Sequence, residues 1–343
     1  MPKITMKQIS EAAGVSLSTV SRVLNGKTEY VTDDMRALVL KAAKELGYSH
    51  QPTAVKSSRK SQSLIKVGVL VTDIQNSSMS RLLGGILNVA DNYDLEIVVK
   101  EHNFQEAKKR KALETFAKSG VDGIISVEVN DAELIPYYNE ITGKKIPLVI
   151  VSNTKTNIVL EGISVVCNDT DTGMMTGYKY LLSLGHRRIL ILGVPGDNGR
   201  FRYRTLALRQ GLRALNEKLD DSCLLDCKNT YQSAYMAIDR LCKESQFDFT
   251  AIFAMSDVMA YGAMEALRMN SMTMGKDVSI LGYDDLPSSE YMSLSSIAEP
   301  MYTLGTNAVY MIMDRIQRRN TQPRRMSLQD SLQIRRSCHR LVE

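Results

Sequence analysis

Tryptophan is absent from this 343-residue chain and phenylalanine is scarce at 6 residues, so a ligand site here must do without an indole platform. The five cysteines are odd in number and scattered from Cys167 to Cys338, which gives no disulfide framework and reads as reduced thiols. Cys223 and Cys227 stand close together, but no further Cys or His has ligand spacing, so no metal is expected. No apolar run approaches the roughly 18 residues that span a bilayer. The opening MPKITMKQIS lacks the apolar core of an export signal, so a cytoplasmic location and no membrane partner are expected. Catalytic signatures are missing as well. The loop from Gly193 to Gly199 has no Lys-Ser/Thr after it and is not GxGxxG, and neither HExxH nor GxSxG occurs. Neither an enzyme nor a cofactor is expected.

What is present is unevenly charged. Residues 1–66 hold 11 Lys+Arg against 5 Asp+Glu, a net of +6, which leaves −1 of the chain's +5 for all the rest. A basic head on a neutral body suits a chain whose head alone meets a polyanion, although a solvated basic face would look the same. A length of 343 residues suggests two or three domains.

Three short helices are legible in residues 1–48. Thr5 with Gln8 forms a capping-box pattern, and the first helix runs through Ile9, Ala12 and Ala13 to Gly14. Gly14-Val15-Ser16 is a tight turn, and Ser16 caps a second helix through Asn25 with Val20, Val23 and Leu24 on its apolar face. Thr32, followed by Asp33 and Asp34, caps a third helix. Its stripe is Met35, Leu38, Val39, Ala42, Ala43 and Leu46. This is helix-turn-helix spacing. Leu17, Ser18, Ser21 and Arg22 fall off the apolar face of the second helix, where they can reach base edges in a major groove, with Arg22 suited to guanine. A three-helix bundle with a polar outer face would share the pattern.

From Val67 onward apolar runs alternate with helical segments. Strands are expected at Val67–Val71, Glu96–Val99, Gly123–Val127, Leu148–Val151, Ile163–Cys167, Ile189–Gly193, Ala251–Ala254, Val278–Gly282 and Leu332–Arg335. The alternation predicts parallel sheets with helices on both faces.

The runs Ile9–Ser16, Ser18–Gly26 and Ala42–Tyr48 closely resemble the head of the lactose-repressor (LacI/GalR) family. The body adds Asn168-Asp169, Gly185-His186-Arg187-Arg188-Ile189, Ser256-Asp257 and Val278–Asp285. The resemblance implies a small all-α helix-turn-helix head at 1–48 and a hinge at 49–65. It implies an α/β two-lobed body of the periplasmic-binding-protein type, with two parallel sheets flanked by helices. The N-terminal lobe is expected at 66–162 and about 294–320, and the C-terminal lobe at 163–293 and about 321–343. The implied function is a DNA-binding transcription regulator, a repressor of a carbohydrate operon acting as a homodimer on palindromic double-stranded operator DNA. A solute-binding protein without a DNA role is the alternative. No leucine heptads follow Leu332–Arg335, so a tail-mediated tetramer is not expected.

By the same resemblance Thr5, Ser16, Asn25 and Tyr48 hold phosphates. The hinge departs from the family: His50, Gln51 and Ser57 replace its usual Pro, Asn and wedge Leu, which leaves Val55 as the only substantial apolar side chain and Lys56 as a phosphate contact. The implied effector is a sugar or sugar phosphate, or alternatively a nucleobase. Its pocket positions fall on Thr72, Ser78, Met79, Arg204, Ser256, Asp257, Asp284 and Met301. A further position falls on Asn229, or on Tyr231 if one gap is allowed. Arg200, Arg202 and Arg204 lie within five residues near a helix start, which suggests an anionic effector unless Arg204 alone lines the pocket. His186 lies in a helix-to-strand turn and reads as structural.

Overall fold

A computed structural model describes residues 5–24, 32–46, 64–128, 140–141, 146–152, 163–193, 199–318 and 322–341. Within those ranges the side chains of Met6, Lys7, Leu17, Ser18, Ser21, Arg22, Asp33, Glu128, Arg200, Phe201, Arg202 and Arg318 are outside the description. The chain divides into two units, residues 1–63 and 64–343.

The head holds α1 (Met6–Ala13), α2 (Leu17–Leu24) and α3 (Asp33–Glu45). Thr5 N donates to Gln8 Oε1 at 2.8 Å and Gln8 N donates to Thr5 Oγ1 at 3.4 Å, the reciprocal pair of a capping box. Gly14 closes α1 at φ +63, a conformation glycine adopts without a Cβ penalty. Thr19 N donates to Ser16 Oγ at 3.2 Å at the start of α2. Ile9, Val20, Val23, Leu24, Val39, Ala42 and Ala43 form the core. The expected α3 stripe narrows: Val39, Ala42 and Ala43 are buried, whereas Met35, Leu38 and Leu46 are exposed. Two short partner helices cover only the i, i+3, i+4 strip of α3.

In the body the first sheet has strand order β11-β5-β4-β3-β1-β2 and is parallel throughout. Its strands are β1 (Lys66–Val71), β2 (Glu96–Glu101), β3 (Gly123–Glu128), β4 (Leu148–Ser152), β5 (Ser164–Asp169) and β11 (Arg325–Gln329). Alternate residues serve opposite faces. Val67, Val69, Ile125, Val127, Val149 and Val151 meet α4 (Ser77–Ala90) and α11 (Met301–Arg318). Leu70, Ile124, Leu148 and Ile150 meet Ala112, Leu113 and Phe116 of α5 (Glu106–Lys118). A Cβ on Gly85 would stand 2.1 Å from Tyr302 O, so only glycine lets α4 and α11 approach this closely.

The second sheet runs β12-β10-β9-β8-β6-β7, parallel except for the β10–β12 pair. Its strands are β6 (Ile189–Leu192), β7 (Leu224–Leu225), β8 (Ala251–Ala254), β9 (Ser279–Asp284), β10 (Ser295–Ala298) and β12 (Ser331–Gln333). Four helices pack with it: α6 (Thr170–Ser183), α7 (Gly199–Ala214), α8 (Tyr231–Lys243) and α9 (Asp257–Met269). A one-and-a-half-turn helix, α10 (Pro287–Tyr291), follows β9.

The expected lobe boundaries need correction. Residues 163–169 belong to the first lobe, because β5 pairs with β4 and β11. Residues 295–298 belong to the second, because β10 pairs with β9, and only α11 returns to the first. The segment after 321 is shared, with β11 in the first sheet and β12 in the second. The chain therefore crosses between lobes at Asp169/Thr170, at Glu299-Pro300 and at Asp330. β7, β10 and β11 lacked an apolar run. β11 is an exposed edge, and the buried serines of β10 are bonded, with Ser296 Oγ donating to Asp257 Oδ1 at 2.6 Å. No described helix is long and apolar enough to cross a membrane.

Candidate functional site

The head presents α2 after the three-residue turn Gly14-Val15-Ser16, as a helix-turn-helix requires. Thr5 and Ser16 are exposed and spend their hydroxyls as caps. Leu17, Ser18, Ser21 and Arg22 lie on α2, with side chains outside the description. Asn25, Tyr48, Val55 and Lys56 lie outside the described residues altogether.

In the body, polar groups converge where the lobes join. Arg204 of α7 is 1% exposed, and its Nη2 donates to Glu299 Oε1 at 2.8 Å and to Asp284 Oδ1 at 3.0 Å. Its Nη1 donates to Met255 O, and its guanidinium carbon lies 3.7 Å from the centre of the Tyr283 ring. Burial works against its charge, but the Asp284 and Glu299 carboxylates outweigh burial and hold its pKa above the ordinary arginine value. The Tyr283 hydroxyl donates to Asp330 Oδ2. Asn168 Nδ2 donates to Asp330 Oδ1 at 3.1 Å and to Glu299 Oε1 at 3.3 Å. Desolvation, reinforced by the Glu299 charge, pushes Asp330 up to about 7. Asn168, Glu299 and Asp330 each stand at one of the three inter-lobe crossings.

The backbone here is strained. Asp284 has φ +109 and Asp285 has φ +50, uncommon for non-glycine residues and a frequent mark of functional sites. Arg81 of α4 reaches across from the first lobe, its Nη1 donating to Asp285 O at 2.9 Å and Asp284 O at 3.3 Å. Arg335 holds the Asp285 carboxylate at 2.7 Å.

Of the expected pocket residues, the structure brings Arg204 and Asp284 into direct contact. Ser256 caps α9 by accepting from Met259 N at 3.3 Å, and it donates to Asn229 Oδ1 at 2.6 Å. Asn229, the ungapped choice, is therefore the residue beside Ser256. Tyr231 is 45% exposed and lines an outer groove of about 340 Å³ with Tyr235, Glu265 and Met269. It does not join the Arg204 cluster, because α8 begins there and its first side chain turns onto the α9 surface.

Asp257 is fully buried and accepts from Leu286 N at 2.8 Å, from Ser289 Oγ and from Ser296 Oγ, ties that fix the β9–α10 connection. Burial and the nearby Asp284 charge push it up to about 7. Met79 and Met301 lie in the hydrophobic core of the first lobe. Thr72 and Ser78 are buried at the end of β1 and the start of α4. His186 is buried between Thr250 Oγ1 at 3.1 Å and His339 O at 3.0 Å, a structural placement.

Sequence reasoning missed Asn168, Tyr283, Asp330 and Arg81. Glu299, directly before Pro300 and at the end of the serine-rich β10, was missed as well. No group of three or more potential metal ligands occurs among the described residues.

The chain matches the family description "Bacterial regulatory proteins, lacI family" over residues 5–51 and "Periplasmic binding protein-like domain" over residues 178–338. It is 27% identical to the HTH-type transcriptional repressor PurR of Vibrio campbellii, covering 98% of this chain and 99% of that one. It is likewise 27% identical to the ribose operon repressor of Haemophilus influenzae, covering 98% and 99%. Among solved structures it resembles a complex of the transcriptional regulator CelR with cellobiose, at 25% identity and a TM-score of 0.69. That match covers 97% of this chain and 99% of the other.

Proposed function

Because the chain belongs to the lacI family of bacterial regulatory proteins and is a DNA-binding transcription regulator rather than an enzyme, we propose that it represses a carbohydrate operon under the control of a small polyhydroxylated effector held between its two lobes. The observation that carries the effector reading is Arg204, fully desolvated and bonded to carboxylates from β9 and from an inter-lobe crossing. Buried charge of this kind, beside strained backbone and at the junction of two lobes, belongs to a binding site more often than to a core. The cellobiose complex and the ribose operon repressor favour a carbohydrate.

In this reading Arg204, Asp284, Glu299, Ser256 and Asn229 face the effector, with Thr72 and Ser78 across from them. Met79, Met301 and Asp257 support those positions from behind. A phosphate effector is disfavoured, because the cation meant to receive it already holds two carboxylates. On the DNA side Arg22, Ser18, Ser21 and Leu17 read the major groove, and Thr5, Ser16, Asn25, Tyr48 and Lys56 follow the backbone. Two heads on a two-fold axis call for a homodimer and a palindromic operator, read in the cytoplasm. The test is a gel shift with palindromic DNA fragments selected from random sequence, with and without a sugar panel. Retardation altered by a sugar supports the reading. Retardation of every sequence alike, or none altered by any small molecule, contradicts it.

A further inference from the structure

Asp284 stands between two guanidinium groups that come from different lobes. Its carboxylate accepts from Arg204 of α7 in the second lobe, and its carbonyl accepts from Arg81 of α4 in the first. Arg81 Nη1 lies 2.9 Å from Asp285 O and 3.3 Å from Asp284 O, so one nitrogen serves both carbonyls of the turn. Both residues of that turn have positive φ, a backbone that persists where its surroundings hold it.

Several holds come from the turn's own lobe. Asp285 N donates to Ser296 Oγ at 3.1 Å, Leu286 N donates to Asp257 Oδ2 at 2.8 Å, and Arg335 grips the Asp285 carboxylate. Arg81 differs from these, because its helix packs in the core of the first lobe. That helix is a firm base. Asn76 Oδ1 caps it by accepting from Ser78 N at 2.9 Å, and α4 approaches α11 as closely as Gly85 permits. Ser78, proposed above to face the effector, lies one turn before Arg81 on the same helix.

We infer that Arg81 is a positioning residue for the effector: it carries the placement of the first lobe into the Asp284–Asp285 turn, and so into the direction of the Asp284 carboxylate. This rests on the effector site proposed above and adds a residue that acts on that site through the backbone. A group that only positions changes the affinity of every ligand by one factor, because it alters how well the empty site is prepared. A group that touches the ligand changes the order of preference.

The experiment has two arms, both on the full-length protein. Arg81→Met keeps length and helix propensity without a donor, and Arg81→Lys restores a donor. Without ligand, hydrogen exchange read by mass spectrometry is expected to run about tenfold faster at the Asp285 and Leu286 amides of Arg81→Met. Exchange in α4 is expected to stay unchanged, and Arg81→Lys to recover most of the wild-type rate. With ribose, glucose, galactose and cellobiose as probes, calorimetry is expected to show about tenfold weaker binding in Arg81→Met for each sugar that the wild type binds. The order of preference stays the same, as loss of one charge-assisted hydrogen bond to the backbone implies. Unchanged exchange at Asp285 and Leu286, whether or not α4 loosens, overturns the inference. Sugar binding that Arg81→Met leaves unaltered, or a loss confined to one sugar among several that bind, overturns it too and leaves the effector site standing. Failure of all four sugars to bind the wild type at about 10 mM overturns the site and the inference together.

Discussion

Asn168 and Asp330, 162 positions apart in the chain, meet through a hydrogen bond of 3.1 Å, and each stands where the chain passes from one lobe to the other. Glu299, at the remaining passage, accepts from the same amide at 3.3 Å. All three connections between lobes thus share one buried polar cluster with Arg204.

The most direct consequence concerns Arg204. Arg204→Ala leaves Asp284 and Glu299 buried without their cation, a loss worth roughly 3–5 kcal/mol. Urea unfolding followed by circular dichroism measures it. Arg204→Lys keeps a charge but not the fork, and falls between the two. A cost below about 1 kcal/mol for the alanine variant is what an exposed, screened pair would give, and that outcome contradicts the burial described here.

Stability is expected to fall as pH rises from about 6 to 8. Asp257 and Asp330 are both pushed up to about 7, whereas unfolded aspartates titrate near 4. Between those values the native state holds protons that the unfolded chain has released, so lowering the pH through 7 favours the fold. From pH 8 to 6 the gain is about 1 kcal/mol for each group. Burial holds His186 below its ordinary value, which acts in the opposite direction below about pH 6.5 and offsets at most one of the two aspartates there. Chemical denaturation at fixed ionic strength is the check, with Asp330→Asn expected to flatten the slope by about half. A wild-type protein more stable at pH 8 than at pH 6 would refute the assignment.

These carboxylates also mark where the sequence was readable and where it was not. The helices of the head were legible, because caps and turns are local: Thr5 bonds Gln8 and Ser16 bonds Thr19, each across three positions, and Gly14 closes α1 on Ser10. The buried strands were legible too, since Val67–Val71 and Leu148–Val151 read as apolar runs, one residue short of the strands found at Lys66–Val71 and Leu148–Ser152. The lobe assignment was not. β5 and β10 change lobes through one or two polar residues, which leave no signature in composition. Arg204 and Asp284 emerged from resemblance, but Asn168, Tyr283 and Asp330 come together only through folding, and no local pattern ties them. Asn229 and Tyr231 differ by one gap, and the start of α8 sets Asn229 beside Ser256 and Tyr231 on an outer groove.

On the DNA side, Arg22→Ala is expected to weaken binding to the preferred operator by roughly 1–3 kcal/mol and to relax base preference at one position in each half-site. Lys56→Ala is expected to weaken all sequences alike and to reduce the salt slope by about one. Fluorescence anisotropy across a salt series with operator and mutated operators separates the two. If Arg22→Ala binds the preferred operator as the wild type does, base reading lies elsewhere.

The hinge carries Ser57 where an apolar wedge is usual in the family, so operator bending is expected to be shallower than the family's, or to depend on Val55. A circular-permutation gel with wild type and Val55→Ala measures the angle. A sharp kink that survives Val55→Ala excludes both versions.

The position of β11 also sets a timetable. Chains emerge from the ribosome amino end first, at about 5–20 residues each second. Residues 1–63 are complete early and free to fold while synthesis continues. The first sheet must wait, because Arg325–Gln329, the strand that covers its β5 edge, is translated after all of the second lobe except β12 and the residues that follow it. A nascent chain can thus display a finished DNA-binding head for roughly 10 to 50 seconds before the first sheet of the body is complete.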